Sequence, residues 1–286
     1  MCYDPSGKWP RETLKCGITP HPLENEDLRQ YYILVTRRCN ANCPYCIESK
    51  VRTGGFMSEQ NFINALEKAR ELDMQTIYLH GGEPTMHPQI VHFAQLAKDA
   101  GFQVNMFTNG LKLDAVKALD GIVDEIRFSY EPDRDYMFQS QSEWKSVIKL
   151  YIMATTVFYP TEADLMSVVD KALGLGMGVK VRTLNPIDDY SYQHQFVPYL
   201  HDRILNMPFD NLFCDGNKIA YRLANGIIVR LGNMQLNPGH LKYSMTPEGQ
   251  HQDHFDHSQK EQIHLLPHIE EQLLRFEPLR QRMIHL

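Results

Sequence analysis

The constraint that narrows the fold most is an alternation between short β-branched apolar runs and longer stretches with apolar residues three and four apart. The runs are YYILVT (31–36), TIYLHG (76–81), FQVNMFT (102–108), DEIRFSY (124–130), KLYIMATTV (149–157) and GVKVRTL (178–184). The intervening stretches are 58–73, 88–101, 111–121, 142–149 and 161–176. The first pattern predicts strands and the second helices. Pro88 is placed to open a helix, and Gly101, Gly121 and Gly176 to close others. Repeated strand–helix units predict an α/β chain with a parallel sheet. Six such strands are too few for a closed eight-stranded barrel, so the expected fold class is a partial (β/α)6 barrel with a smaller C-terminal α+β extension.

Beyond residue 190 the rhythm changes. HQFVPYLHDRILNM predicts a helix. KIAYRLANGIIVRLG (218–232) predicts a hairpin around Asn225-Gly226, a pair suited to a type I′ turn. Residues 247–262 are polar and predict a loop, and 262–276 a final helix. The expected organisation is an N-terminal extension (1–27), a barrel core (28–190) and a C-terminal extension covering the barrel mouth (191–286). Apolar residues make up 43% of the 286, enough for a sizeable core. The start carries no apolar signal region and no run is long enough to span a membrane, which predicts a soluble, cytoplasmic protein. A net charge of −6 and the lack of a basic stripe count against nucleic acid as a partner.

Three of the six cysteines, Cys39, Cys43 and Cys46, fall within eight residues just after the first strand. Two soft-metal readings stand. A structural zinc site needs four ligands, and no cysteine or histidine follows nearby at a CxxC or HxxxH spacing. An iron–sulfur cluster held by three cysteines leaves one iron open, where a small molecule can bind and react. A second segment, LHGGEPTMHP (79–88), follows the next strand. Its Gly81 and Gly82 permit close backbone approach, and Glu83 offers a carboxylate to an ammonium group.

Together these segments resemble the radical S-adenosylmethionine (SAM) superfamily. Cys39-x3-Cys43-x2-Cys46 is similar to its cluster signature, and GGEP (81–84) to its second-strand motif. VTRRCNANCPYC (35–46) looks most like the molybdenum-cofactor biosynthesis protein A and SPASM/Twitch-like branch. The resemblance covers roughly residues 30–190 and implies one 4Fe–4S cluster on Cys39, Cys43 and Cys46. Its open iron would chelate SAM, whose reductive cleavage gives a 5′-deoxyadenosyl radical. It further implies Tyr45 near the adenine and Gly81, Gly82, Glu83 and Pro84 around the SAM amine. FTNG (107–110) and IRFSYE (126–131) resemble the third and fourth strand ends, placing Thr108, Asn109 and Ser129 near SAM, with Arg182 facing its carboxylate. An electron donor such as flavodoxin or ferredoxin is the implied protein partner.

FCDGNKIAYRLANGIIVRL (213–231) is similar to the second-cluster segment of that branch but keeps only Cys214, so a second cluster is not expected. Cys214 is then either a packed remnant or a hydrogen-atom donor to a substrate radical. His251, His254 and His257 would line up as metal ligands only on a helix, which their polar surroundings oppose. His80 and His87 flank GGEP, where they would touch a ligand or satisfy backbone. The reading reached is a radical SAM enzyme acting on a small-molecule substrate, by rearrangement, dehydration, epimerisation or cyclisation in a biosynthetic pathway. Modification of a peptide or nucleic acid is the alternative, and a zinc-binding or redox-sensing protein the alternative of another class.

Overall fold

The computed structural model describes residues 21–22, 29–43, 54–132, 134–153, 159, 162–182, 209–215, 218–223, 228–232 and 243–252. Its strands are β1 (His21–Pro22), β2 (Gln30–Thr36), β3 (Thr76–Gly81), β4 (Gln103–Thr108), β5 (Glu125–Tyr130), β6 (Val147–Met153), β7 (Gly178–Arg182), β8 (Phe209–Asp215), β9 (Lys218–Leu223), β10 (Ile228–Gly232), β11 (Tyr243–Met245) and β12 (His251–Gln252). The helices are α1 (Glu59–Glu71), α2 (Ile90–Asp99), α3 (Leu113–Lys117) and α4 (Glu162–Gly174).

All strands join one sheet, in the order β1-β8-β9-β10-β7-β6-β5-β4-β3-β2-β11-β12. The six strands expected from sequence, β2 to β7, pair in parallel as consecutive neighbours. Two strands from the C-terminal part extend this run. β10 pairs in parallel with β7, and β11 in parallel with β2. The parallel run therefore has eight strands, and hydrogen bonds do not close it. Sequence reading counted six, because nothing local marks a hairpin strand as the parallel neighbour of a strand far back in the chain. The hairpin itself forms as expected, β9 lying antiparallel to β10. Its Asn225-Gly226 turn lies outside the described residues, as do the expected helices at 194–207 and 262–276.

The helices cover one face of the sheet. α1 begins at Ser58, whose hydroxyl accepts the Asn61 N–H, and buries Phe62, Ala65, Leu66 and Ala69 at the spacing of one helical face. α2 buries Ile90, Phe93, Ala94 and Ala97. Phe62 and Phe93 stack at 4.2 Å where the two helices meet, and α4 adds Leu165, Met166, Val169 and Ala172. From the sheet, Ile33, Leu79, Met106, Ile126, Leu150 and Val181 complete this core. Burying each large side chain contributes about 1.5–3 kcal/mol.

One expected helix, 142–149, is absent. A 3-10 turn at Gln141–Glu143 leads directly into β6. The Asp120 carboxylate accepts the Lys145 and Ser146 N–H groups, and Gln141 Oε1 accepts that of Ile148 at 2.7 Å. These side-chain acceptors hold the backbone donors that a helix would need. Trp144, Val147 and Ile148 mimic a helical spacing, but β5 recruits the last two as a strand. The polar segment at 247–262 begins with a turn and β12, so His251 sits on a strand; His254 and His257 lie outside the described residues.

His87 satisfies backbone on both sides. Its Nδ1 accepts the Gln89 N–H at 3.1 Å, and its Nε2–H donates to the Met57 carbonyl at 2.9 Å. Burial holds its pKa below the usual 6.5, against the opposing pull of the Met57 carbonyl. Protonation would also break the Gln89 bond. A lowered native pKa stabilises fully above pH 6.5 and less as the pH falls, because the unfolded chain then takes up the proton first. Denaturant unfolding at a series of pH values should show the wild type losing stability below pH 6.5 relative to His87→Gln, by at most about 1.4 kcal/mol per pH unit. Parallel curves would show that His87 titrates alike in both states.

Candidate active site

The cysteine segment leaves the sheet at the end of β2 and returns beside it. Thr36 bridges Phe56, and the Met57 N–H donates to the Val35 carbonyl at 2.9 Å. Arg38 reinforces the return, its guanidinium lying 4.6 Å from the centre of the Phe56 ring. Cys39 and Cys43 are half-buried at the start of this excursion. Cys46 and Tyr45 lie outside the described residues.

The two glycines after β3 permit a close approach to this segment. The Gly82 N–H donates to the Thr36 carbonyl and the Glu83 N–H to the Arg38 carbonyl, both at 2.8 Å. A Cβ on Gly81 would stand 2.2 Å from the Thr36 oxygen, and one on Gly82 2.3 Å from the Arg38 oxygen. Both distances are far inside contact, so neither position accepts a side chain without moving backbone. In the fold the two glycines lie against the chain's own backbone at Thr36 and Arg38.

Glu83 is only 1% exposed and anchors the next strand end. Its Oε1 accepts the Thr85 N–H at 3.0 Å, the Thr85 hydroxyl at 2.6 Å and the Thr108 hydroxyl at 2.8 Å. Its Oε2 accepts the Asn109 N–H at 2.6 Å. Pro84 opens the buried 3-10 turn that delivers Thr85. The Asn109 amide then reaches the cysteine segment, lying 2.9 Å from Asn40 Oδ1 and 3.7 Å from Cys39 Sγ. Three segments separated in sequence, the cysteine loop, GGEP and FTNG, thus meet through Glu83 and Asn109.

Sequence reading missed Arg134. It pairs with Glu131 at 2.8 Å, both side chains about 95% buried, and its Nη1 donates to the Ser129 carbonyl at 3.0 Å. Its Nη2 lies 3.9 Å from Cys43 Sγ. The visible signal was the i, i+3 pair in EPDR (131–134). Burial pushes the Cys43 thiol up to about 12, Glu131 adding to the rise and Arg134 opposing it. Ser129 is half-buried on β5. Arg182 ends β7 in register with Met153, and Cys214 falls on β8 in register with Ile219 of β9.

The donors around the two sulfurs fit thiolate ligands of a metal cluster. The Ala41 N–H and the Asn109 amide approach Cys39, and a guanidinium approaches Cys43. Each stabilises negative charge on sulfur. Glu83 Oε2, holding one donor, keeps a lone pair for another.

A sequence profile of the radical SAM superfamily matches residues 33–133. The 7-carboxy-7-deazaguanine synthase of Methanocaldococcus jannaschii is 27% identical over 150 residues, covering 46% of this chain and 62% of that protein. An S-adenosylmethionine-dependent nucleotide dehydratase of a Thermoplasmatales archaeon is 29% identical, over 36% of this chain and 38% of its own length. The PqqA peptide cyclase of Ruegeria pomeroyi is 31% identical, over 34% of this chain and 27% of its own. The chain thus spans less than two thirds of the length of these relatives. Among solved structures, Streptococcus suis SuiB bound to S-adenosylmethionine shares the fold with a TM-score of 0.59 at 12% identity, over 78% of this chain and 59% of that one. Residues 33–133 thus carry a radical SAM domain, and the chain shares the fold of SuiB.

Proposed function

We propose that this chain is a radical SAM enzyme that abstracts a hydrogen atom from a small-molecule substrate in a biosynthetic pathway. The meeting of the cysteine loop, Glu83 and Asn109 carries this reading. Cys39, Cys43 and Cys46 would hold one 4Fe–4S cluster. With SAM bound, such a cluster supplies reductive cleavage of the sulfonium to a 5′-deoxyadenosyl radical, the electron coming from a donor such as flavodoxin or ferredoxin.

The chain's own residues orient and shield. Asn109 and the Ala41 N–H donate toward Cys39, and Arg134 donates toward Cys43 while neutralising Glu131. The open lone pair on Glu83 Oε2 suits the SAM ammonium. Four fixed donors orient that carboxylate before any ligand arrives, so little ordering entropy remains to be lost on binding. Thr108 and Ser129 stand at neighbouring strand ends, where hydroxyl and carbonyl groups suit the SAM ribose and carboxylate. Arg182 ends β7, and among the described residues no helix is long and apolar enough to cross a membrane.

Substituting Cys39, Cys43 and Cys46 together by alanine should abolish the visible absorbance and iron content of anaerobically reconstituted protein. Full iron and sulfide in the triple variant would remove these residues as the ligands. The reconstituted wild type should hold about four irons, one cubane.

Glu83 is best tested by two substitutions. Glu83→Ala strands the Thr85, Thr108 and Asn109 donors, each costing about 1–3 kcal/mol when buried without a partner. Its unfolding midpoint in urea should therefore fall sharply. Glu83→Gln keeps one oxygen acceptor and should unfold closer to wild type. Losing the charge should still weaken SAM binding by roughly ten- to a hundredfold in calorimetry. A Glu83→Gln protein that binds SAM like wild type would assign Glu83 to the fold alone.

A further inference from the structure

EPDR (131–134) stands directly after β5. Pro132 takes the second place of a turn that the Arg134 N–H closes on the Glu131 carbonyl at 2.9 Å. The turn brings the two charged side chains together and away from water, Glu131 being 3% exposed and Arg134 4%. Arg134 then precedes a 3-10 turn at Asp135–Met137, and its carbonyl accepts the Met137 N–H at 3.0 Å. Backbone on both sides therefore aims this side chain.

A buried ion pair is a costly way to hold a turn. Desolvation of two charges offsets much of their attraction, and apolar side chains of similar size often stabilise as well or better. This pair has a further neighbour. One nitrogen of the guanidinium, Nη2, lies 2.8 Å from Glu131 Oε2 and 3.9 Å from Cys43 Sγ, while Nη1 donates to the Ser129 carbonyl at 3.0 Å. Glu131 also lies within hydrogen-bonding reach of the Cys43 sulfur. Arg134 thus joins the end of β5 to the cysteine segment that follows β2. The Ala41 N–H and the Asn109 amide, at 3.4 and 3.7 Å, bring neutral donors to Cys39. At Cys43 the donor carries a full charge, and charge-assisted bonds are roughly twice as strong.

Charge beside a sulfur ligand acts on the electron that the metal takes up. Reduction puts one more negative charge on a cluster and its thiolates, and the groups bonded to the sulfurs help to set the potential of that step. A cation at Cys43 favours the reduced state, and a carboxylate there favours the oxidised one. Arg134 and Glu131 meet the same sulfur with opposite signs. Burial strengthens both effects, because the local dielectric is low.

We propose that Arg134 is a positioning residue that raises the reduction potential of a cluster held through Cys43, with Glu131 as its counterweight. The inference rests on the radical SAM reading above and assigns the pair to electron entry, which precedes cleavage of SAM. Glu131 makes the burial of the cation tolerable. The planar fork of the guanidinium holds carboxylate, carbonyl and sulfur in one fixed geometry, which a lysine ammonium does not reproduce.

A redox titration of the anaerobically reconstituted full chain, followed by cluster absorbance without SAM, tests this. Arg134→Gln removes the cation and should lower the midpoint potential. The expected change is tenfold or more in the reduction equilibrium, about 59 mV for one electron. Arg134→Lys, which keeps the charge, should lower it less. Glu131→Gln breaks the same ion pair from its other side and should raise the potential. A pair that only held the loop would give shifts of one sign, or none, whichever partner was replaced. Lys68→Gln, on the outer surface of α1 beside Glu71, should titrate like wild type. If Arg134→Gln takes up no iron, Glu131→Gln and Arg134→Lys carry the comparison. Shifts of one sign in both halves of the pair, no shift in either, or an equal shift in Lys68→Gln would each overturn the proposal. Release of 5′-deoxyadenosine on reduction with SAM is measured on the same samples. Opposite shifts in protein that fails to cleave SAM keep the role of Arg134 and sink the reaction. Cleavage of SAM with unshifted potentials does the reverse, and a wild type that takes up no cluster overturns both.

Discussion

The arrangement depends on one buried carboxylate. Glu83 collects four donors from Thr85, Thr108 and Asn109, and its own N–H binds the Arg38 carbonyl. It thereby ties the ends of β2, β3 and β4 into one unit. A carboxylate this deep is tolerable only because charge-assisted bonds replace its water. The same bonds fix the backbone around Thr36 to Arg38, from which Cys39 follows directly. Gly81 and Gly82 serve that end, since any side chain there would push the two backbones apart. The position of the first cysteine is therefore set by packing between strand ends, and needs no metal to be defined.

The sheet explains why chemistry collects where it does. Helices seal one face with apolar side chains, and the other carries Arg127, Lys149, Tyr151 and Lys180. Arg127 is held by Glu125, two tyrosine hydroxyls and three aromatic rings. Removing one partner would leave a charge buried without compensation, which costs more than the intact network contributes. That fixes the spacing of β3, β5 and β6 in mid-sheet, as Glu83 fixes the strand ends. Polar groups here specify which strands meet, while the helical face supplies most of the stabilising burial.

Much of this was legible in the sequence. β2 to β7 announced themselves as β-branched runs, and α1, α2 and α4 by apolar residues at helical spacing. Gly101 and Gly176 do close helices, with φ of +89° and +78°. The alternation in EIRFSY and GVKVR already marked strands with one polar face. What escaped was long-range or unpatterned. Segment 142–149 has a helical period, but Asp120 and Gln141 take its backbone donors, a contest that no window of eight residues records. The docking of β10 on β7 and of β11 on β2 is set by the sheet's open edges. Arg134 lies in a loop with no period, and its role depends on Cys43, ninety-one residues away.

The same register bears on Cys214. Residues side by side in adjacent strands share a face, and the faces alternate at each step. Cys214 pairs with Ile219, Ile219 with Leu231, and Leu231 with Val181. Val181 is fully buried in the core that packs the helices. The neighbouring row, with Asp215, Lys218, Gly232 and Arg182, continues the polar parity of Lys180. A cysteine that returns a hydrogen atom to a substrate radical has to share the face on which the substrate lies. By register Cys214 stands in the row of Val181, and Lys180 in the row beside it, so the two positions take opposite parities across β7 to β10.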